Sequence, residues 1–232
     1  MIGSRLKFGN VDLSKKTIIE QATYEKLSIV HNTFSRTLRP DVYRNSKRNV
    51  KQINIEARYI SDTTDMRKVE KELEKIIAEL KYEELKELNI NEKYCKAVLS
   101  EADYSVLGHT ALLNLTFINY DGLFYSKVKN VKLTDKLVNE GVDDTEYVVF
   151  EITPNKKNVT LTHITSGNKI ILPDVSVGNK VFIDLETKTV KQNSRHVKMD
   201  SLSDFFVVKK GTNEFKIEGG NVEVKIREVL AL

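Results

Sequence analysis

The chain has 232 residues, 40% of them hydrophobic and 30% charged, and its 37 Lys and Arg against 33 Asp and Glu give a formal net charge of +4. That is enough apolar material for one or two folded domains, it is not the composition of a disordered tail, and the net charge is too small to argue for nucleic acid. Cys95 is the only cysteine, which excludes an intrachain disulfide and a multi-cysteine zinc site.

No apolar run approaches the roughly 18–20 residues that span a bilayer. The start, Met-Ile-Gly-Ser-Arg-Leu-Lys-Phe, lacks the charged-then-apolar order of a secretory signal, so the expectation is a protein made and used without export. Residues 6–60 read as strands: Phe8-Gly-Asn-Val-Asp-Leu13 with a turn in its middle, a short run at Leu27-Ser-Ile-Val30, then a period of two. In that last stretch Ile53, Ile55, Ala57 and Tyr59 alternate with Asn54, Glu56 and Arg58. Between them Thr33 to Asn49 shows little alternation and reads as a long exposed connection or hairpin arm. Connections of that length are often functional.

One helix is expected over about 63–80, with Asp62 or Thr63 as its cap and Met66, Val69, Leu73, Ile76, Ile77 and Leu80 on one stripe. Lys68 with Glu72, and Lys75 with Glu79, are i,i+4 pairs on its wet side, and the segment is too short for a coiled coil. Leu85, Leu88 and Ile90 then lead out through a connection. Strands follow near Tyr94–Val98 and at Leu113, Leu115 and Phe117, then a turn at Asn119-Tyr-Asp-Gly122 and a strand at Leu123-Phe-Tyr125. Thereafter short strands alternate with turns at Pro154-Asn155, Ser166-Gly167-Asn168 and Gly178-Asn179, the pattern of an antiparallel sandwich. The shift places a boundary near residues 125–130 and gives domains 1–126 and 127–232. Near the C-terminus two hairpins are expected, one turning at Leu185-Glu-Thr-Lys188 and one at Lys209-Lys-Gly-Thr-Asn213, where Gly211 or Asn213 takes positive φ.

Chemistry-bearing patterns are scarce. His31, His109, His163 and His196 are scattered, and no nucleophile elbow, P-loop or dinucleotide fingerprint occurs. Asp143-Asp144, with Asn139 and Glu140, is a weak substitute for a calcium loop, and Gly219-Gly220 reads as a turn. The expectation is no catalytic residue, no metal and no cofactor. Glycan binding by ring stacking has no Trp to use; Tyr147 and His163 are the stand-ins. One segment is strongly basic, with Arg36, Arg39, Arg44, Lys47, Arg48 and Lys51 opposed only by Asp41. It reads either as a solvated face or as a contact surface for an acidic partner.

Several of these stretches together resemble the distal tail proteins of long-tailed bacteriophages. Ile183-Asp184 with Thr187 and Val190 is similar to the family's "hydrophobic-Asp-x-x-Thr-x-x-Val" hairpin, Ser203-Asp-Phe205 to its "Ser-x-Phe" strand, and Gly211-x-Asn213 to its "Gly-x-Asn" turn. Phe8-Gly-Asn10 resembles the opening "Phe-Asn-Gly" with two residues reversed, and Arg227-Glu228 the closing "Arg-x" strand. Where relatives carry Asp-Pro, this chain has Asp121-Gly122.

The resemblance implies a mainly β protein: an N-terminal β-sandwich or split barrel with one α-helix, then a galectin-like antiparallel β-sandwich. It implies a structural role at the virion tail tip after assembly in the host cytoplasm, as a homohexameric ring joining the tail tube to the tail-tip apparatus. The implied partners are further copies of itself, the tail tube protein, the tail-associated hub or lysin protein and receptor-binding proteins, without specific nucleic acid or membrane insertion. Ring contacts are expected from the N-terminal domain, with Arg36, Arg39, Arg44, Lys47 and Arg48 reaching toward acids such as Glu70, Glu74 and Glu79. The alternative is a carbohydrate-binding β-sandwich module for host-surface attachment.

Overall fold

A computed structural model describes residues 5–26, 50–80 and 84–231. The chain divides into two compact units, Met1–Phe124 and Tyr125–Leu232. Among the described residues the regular structure is strands and a single helix, and the strand pairings with a determined register are all antiparallel.

The first unit contains β1 (Leu6–Phe8), β2 (Val11–Asp12), β3 (Thr17–Lys26), β4 (Lys51–Ile60), α1 (Met66–Leu80), β5 (Lys86–Ile90), β6 (Lys93–Leu107) and β7 (Thr110–Asn119). The short strand β8 (Phe124–Tyr125) spans the division. Strand order runs β2-β1-β5-β6-β7-β4-β3. The fifteen-residue β6 serves two neighbours, β5 along Lys93–Ala97 and β7 along Val98–Leu107, with a register shift between Leu99 and Glu101. Such a bulge bends a strand and increases its twist. The sheet accordingly folds over itself: Phe8 on β1 and Phe117 on β7 are separated in strand order by β5 and β6, yet their ring centroids are 5.0 Å apart. The period-two residues Ile53, Ile55, Ala57 and Tyr59 face inward as expected.

Helix α1 lies on this sheet through Val69 and Leu73, which cluster with Tyr59 and Ala111. It starts later than the cap candidates implied. Asp65 is the N-cap, its Oδ1 accepting from the Arg67 N–H at 3.1 Å, while Thr63 Oγ1 accepts from the Asp65 N–H at 3.2 Å in the approach to the helix. Lys75 and Glu79 pair at 4.0 Å as expected, but Glu72 turns away from Lys68. Its Oε2 takes the Tyr59 hydroxyl at 2.6 Å and the Ser61 hydroxyl at 3.1 Å, with Lys16 Nζ at 3.6 Å. A connection was expected at Leu85–Ile90; the residues instead form β5, with Leu88 and Ile90 buried. The hairpin joining it to β6 is hard to read because its turn, Asn91 (φ 49°) and Glu92 (φ 67°), takes two positive φ values without a glycine.

The second unit holds β9 (Lys129–Leu133), β10 (Lys136–Asn139), β11 (Val148–Pro154), β12 (Val159–His163), β13 (Asn168–Leu172), β14 (Val181–Asp184), β15 (Thr189–Gln192), β16 (Arg195–His196), β17 (Gly211–Glu218), β18 (Gly220–Ile226) and β19 (Val229–Leu230). A four-stranded sheet runs β10-β17-β12-β13 and a six-stranded one β16-β15-β14-β11-β18-β9. Leu161, Ile170 and Phe215 from the first and Phe150, Ile183 and Val224 from the second share one buried core, so the two sheets form a sandwich. Among the described residues the protein is thus mainly β, with one helix on the N-terminal unit and an antiparallel sandwich in the C-terminal one.

Candidate functional site

The residues singled out near the C-terminus each hold a loop. In the β14–β15 hairpin, Ile183 and Val190 are paired and buried. Asp184 Oδ1 accepts from the backbone N–H groups of Glu186 at 3.0 Å and Thr187 at 3.2 Å. Thr187 and Thr189 hydroxyls meet at 2.9 Å, and Lys188 sits at φ 51° to complete the turn. A carboxylate closing an Asx turn, a hydroxyl and an inward β-branched residue explain the Asp-x-x-Thr-x-x-Val spacing.

The second expected hairpin is not one. Residues 203–207 lie outside strands, Val208 makes a lone bridge to Thr145, and Gly211–Asn213 opens β17, which pairs with β10 and β12. The preceding stretch lies along the outer edge of β13 instead. Ser203 Oγ accepts from the Ile171 N–H at 2.9 Å, the Asp204 N–H reaches Lys169 O at 2.9 Å, and Asn168 Nδ2 donates to Phe205 O at 3.2 Å. Gly211 takes the positive φ, 87°, and Asn213 does the fastening. Fully buried, its amide donates to Lys209 O at 2.7 Å and Gly211 O at 3.0 Å and accepts from the Lys209 N–H at 2.8 Å.

The same Asn213 Oδ1 lies 3.0 Å from Nε2 of His163, which is wholly buried with its ring 4.7 Å from Phe206 and 4.8 Å from Phe215. Because that amide oxygen can only accept, Nε2 carries the proton and Nδ1 accepts from the Ser166 hydroxyl at 2.8 Å. Burial holds the imidazole below the ordinary histidine range, against the Asn213 hydrogen bond and with Lys209 adding to the burial effect. The sequence offered no sign that His163 belongs to the Gly211-x-Asn213 turn, because fifty residues separate the partners.

Arg227 and Glu228 fall between β18 and β19 rather than within the last strand. Glu228 is buried; its Oε1 accepts from the Glu140 N–H at 3.0 Å and its Oε2 is 2.6 Å from Lys129 Nζ. Hydrogen bonds to Glu140 and then to Glu228 raise the Lys129 ammonium above its usual range.

Residues considered for calcium are engaged elsewhere. Asn139 holds the Gly141 N–H and the Asp143 carbonyl, Glu140 pairs with Lys129, and Asp144 takes the Lys210 N–H at 2.8 Å and Lys209 Nζ at 2.9 Å. No cluster of three or more His, Cys, Asp or Glu suited to a metal ion occurs among the described residues. Cys95 is buried, and burial pushes its thiol upward, away from the reactive thiolate. Of the stand-ins for sugar stacking, His163 is unreachable from solvent, and Tyr147 is half-buried with its ring 4.0 Å from Tyr125. An open depression of about 530 Å³, lined by Asp174, Ser176, Gln192, Arg195, His196 and Lys198 among others, lies beside the β15–β16 hairpin.

Arg36, Arg39, Arg44, Lys47 and Arg48 lie outside the described residues, between the end of β3 and the start of β4. Glu70, Glu74 and Glu79 on α1 are exposed. β3 itself pairs with β4 alone among the described residues.

Residues 141–228, the span that carries the Asp184, Ser203, Asn213 and Glu228 contacts, match the family model described as Siphovirus-type tail component, C-terminal domain. The second unit is thus similar, over most of its length, to a tail-component domain of the long-tailed phage class. Across both units the fold is similar to the crystal structure of SPP1 Dit (gp 19.1), described as a paradigm of the hub adsorption apparatus in phages infecting Gram-positive hosts. That match has a TM-score of 0.68 at 11% identity and covers 98% of this chain and 99% of the other. At that identity the likeness is one of fold. No match was found among the curated proteins. The resemblance to the distal tail proteins drawn from the sequence is borne out by the family match and the shared fold.

Proposed function

We propose that the protein is a structural hub of a phage tail tip: a subunit of a closed homohexameric ring that joins the tail tube to the adsorption apparatus and performs no catalysis. The observation that carries this is the tail-component match over residues 141–228, set in a chain whose two units follow the fold of a tail hub protein. The domain division taken from the sequence, 1–126 and 127–232, belongs to this reading, with the first domain forming the ring. Its partners are copies of itself, the tail tube protein, the tail-associated hub or lysin protein and receptor-binding proteins, met during assembly in the host cytoplasm.

The strand edges support a ring built on the first unit. Most strands exposed at sheet edges are blunted: β2 and β16 have two residues each, β9 carries Lys129 and Lys132, β10 begins with Lys136, and β13 is covered by the Ser203 stretch. By contrast β3 has ten residues and, though it ends with Lys26, offers Gln21-Ala-Thr-Tyr-Glu25 beyond the register shift at Glu20 without lysine or proline. Among the described residues nothing else pairs with that edge, and an open edge of that length is a template for a strand from another chain. A heterologous contact of this kind closes into a ring when its rotation allows. The basic segment between β3 and β4 supplies forked donors from Arg36, Arg39, Arg44 and Arg48, and a point charge from Lys47, to acids on the neighbour such as Glu70, Glu74 and Glu79.

Negative-stain imaging of the purified chain, with antibody labelling of the intact phage, tests the reading. Rings in the preparation and label at the distal end of the tail are expected. A chain that stays monomeric alone and with its tail partners, and no label at the tail tip, would overturn it.

A further inference from the structure

We propose that Ser203–Val208 is a strap guarding the edge of β13, that His163 is its lock, and that acid releases it. Along β13 the strap replaces a missing neighbour strand. Ser203 Oγ serves the Ile171 N–H at 2.9 Å, the Asp204 N–H serves Lys169 O, and the Asp200 N–H just before it serves Ile171 O. Without the strap those groups would form an open edge able to take an added strand.

The strap is anchored in the core by Phe206 and Val208, both buried, and the Phe206 anchor is the one that meets a titratable group. Phe206 lies nearly parallel to the His163 ring, at 27° and 4.7 Å, and Val208 bridges to Thr145 just beyond it. The network around His163 suits a neutral ring. Asn213 Oδ1 takes the Nε2 proton, and Ser166 Oγ, which also accepts from the Asn168 N–H at 3.3 Å, gives its own proton to Nδ1. A second ring proton would force the Ser166 hydroxyl to turn and leave its hydrogen without that acceptor.

Among the described residues no carboxylate is found against the ring. β17 presents Phe215 and Asn213, the strap presents Phe206, and the turn after β12 presents Ser166. Lys209 is the charged residue whose field acts on it, and Asp144 holds that ammonium at 2.9 Å. A buried imidazolium would stand there uncompensated.

The sign follows. The ring is neutral while the strap is closed, whereas a released, solvated histidine gains its proton near the ordinary value of about 6.5. Acidification below that value therefore favours the open strap until the closed form is also protonated.

Hydrogen–deuterium exchange of the full chain near pH 7.5 and near pH 5, corrected for intrinsic rates, tests this. Amides of β13 and of residues 203–213 are expected to lose roughly tenfold or more protection at the lower pH while β4 and β7 keep theirs. His163→Gln, which can donate to Asn213 and accept from Ser166 without titrating, should abolish that dependence. Should the variant fail to fold, the wild-type His163 ring resonances decide: protonation at or above the ordinary histidine value overturns the lock. Protection at β13 that ignores pH, or a loss spread equally over both units, overturns the strap.

Discussion

Nε2 of His163 stands 3.0 Å from Oδ1 of Asn213, and this bond ties β12 to the start of β17. Asn213 is the more heavily used partner, since its amide also holds both the N–H and the carbonyl of Lys209 and the carbonyl of Gly211. Asn213→Ala leaves the part-buried Lys209 N–H and the buried His163 Nε2–H without an acceptor. A loss of about 2–4 kcal/mol is expected, of the size that unsatisfied buried donors cause. Chemical unfolding followed by a probe in the second unit measures it, and a change below about 0.5 kcal/mol would mean that the network is ornamental.

Two glycines with similar backbone angles should respond very differently to alanine. Gly219 links β17 to β18, which lie in different sheets, at φ 88°, and a Cβ there would come within 2.2 Å of the Asn158 carbonyl oxygen. Gly167, at φ 81° in the turn after β12, has nothing within 4 Å of its Cβ position. Gly167→Ala should therefore cost only the left-handed backbone term, about 1–2 kcal/mol, while Gly219→Ala must displace backbone and should prevent the sandwich from closing. Soluble expression and near-ultraviolet circular dichroism distinguish the two. Equal behaviour of the variants would refute the close approach.

Much of this architecture was legible because apolar periodicity reports burial directly. Ile53 to Tyr59 and Leu113 to Phe117 alternate cleanly and do line the core. What was missed follows from turn chemistry and from distance. Asn91 and Glu92 occupy a positive-φ turn that no glycine announces, so by sequence β5 reads as a connection. Gly211 promised a hairpin, yet the residues before it run beside β13, a contact across more than thirty positions that no local pattern encodes. The departure at Asp121-Gly122 has a local cause: Gly122 sits at φ 66°, which proline cannot adopt, and Asn119 Oδ1 fastens its N–H at 3.1 Å. The basic segment with Arg36, Arg39 and Arg44 could be picked out by composition, but composition carries no coordinates.

Glu72 supplies an acid-sensitive link in the first unit. Hydrogen bonds from Tyr59 and then Ser61, with the nearby Lys16 charge, hold its carboxyl below the usual glutamate range. A lowered folded value means stability present above the unfolded value of about 4.3 and lost as pH falls through the folded one. Glu72→Gln should weaken the docking of α1 at neutral pH and flatten the acid limb of the stability curve. Urea midpoints between about pH 7 and pH 3 would reveal it, and a variant with an unchanged acid limb would assign the effect to other carboxylates such as Glu151, which Lys225 and Lys180 also hold low.

The ring reading separates into two contacts that mutation can tell apart. Gln21→Lys with Thr23→Lys places ammonium groups on the β3 edge, the device by which natural edge strands refuse partners. Neither side chain is buried, so the fold should survive. Replacing Arg36, Arg39 and Arg44 together by Ala removes the forked donors of the basic segment and leaves the strand edge intact. If strand addition is the main contact, the lysine pair should dissolve the ring at any ionic strength, while the arginine triple should weaken it most at low salt, where charge pairs act over the longest range. If the basic segment dominates, the triple variant should lose the ring and the lysine pair should keep it. Analytical ultracentrifugation beside circular dichroism measures both, and full rings from both variants at wild-type concentration and salt would remove these contacts from the assembly.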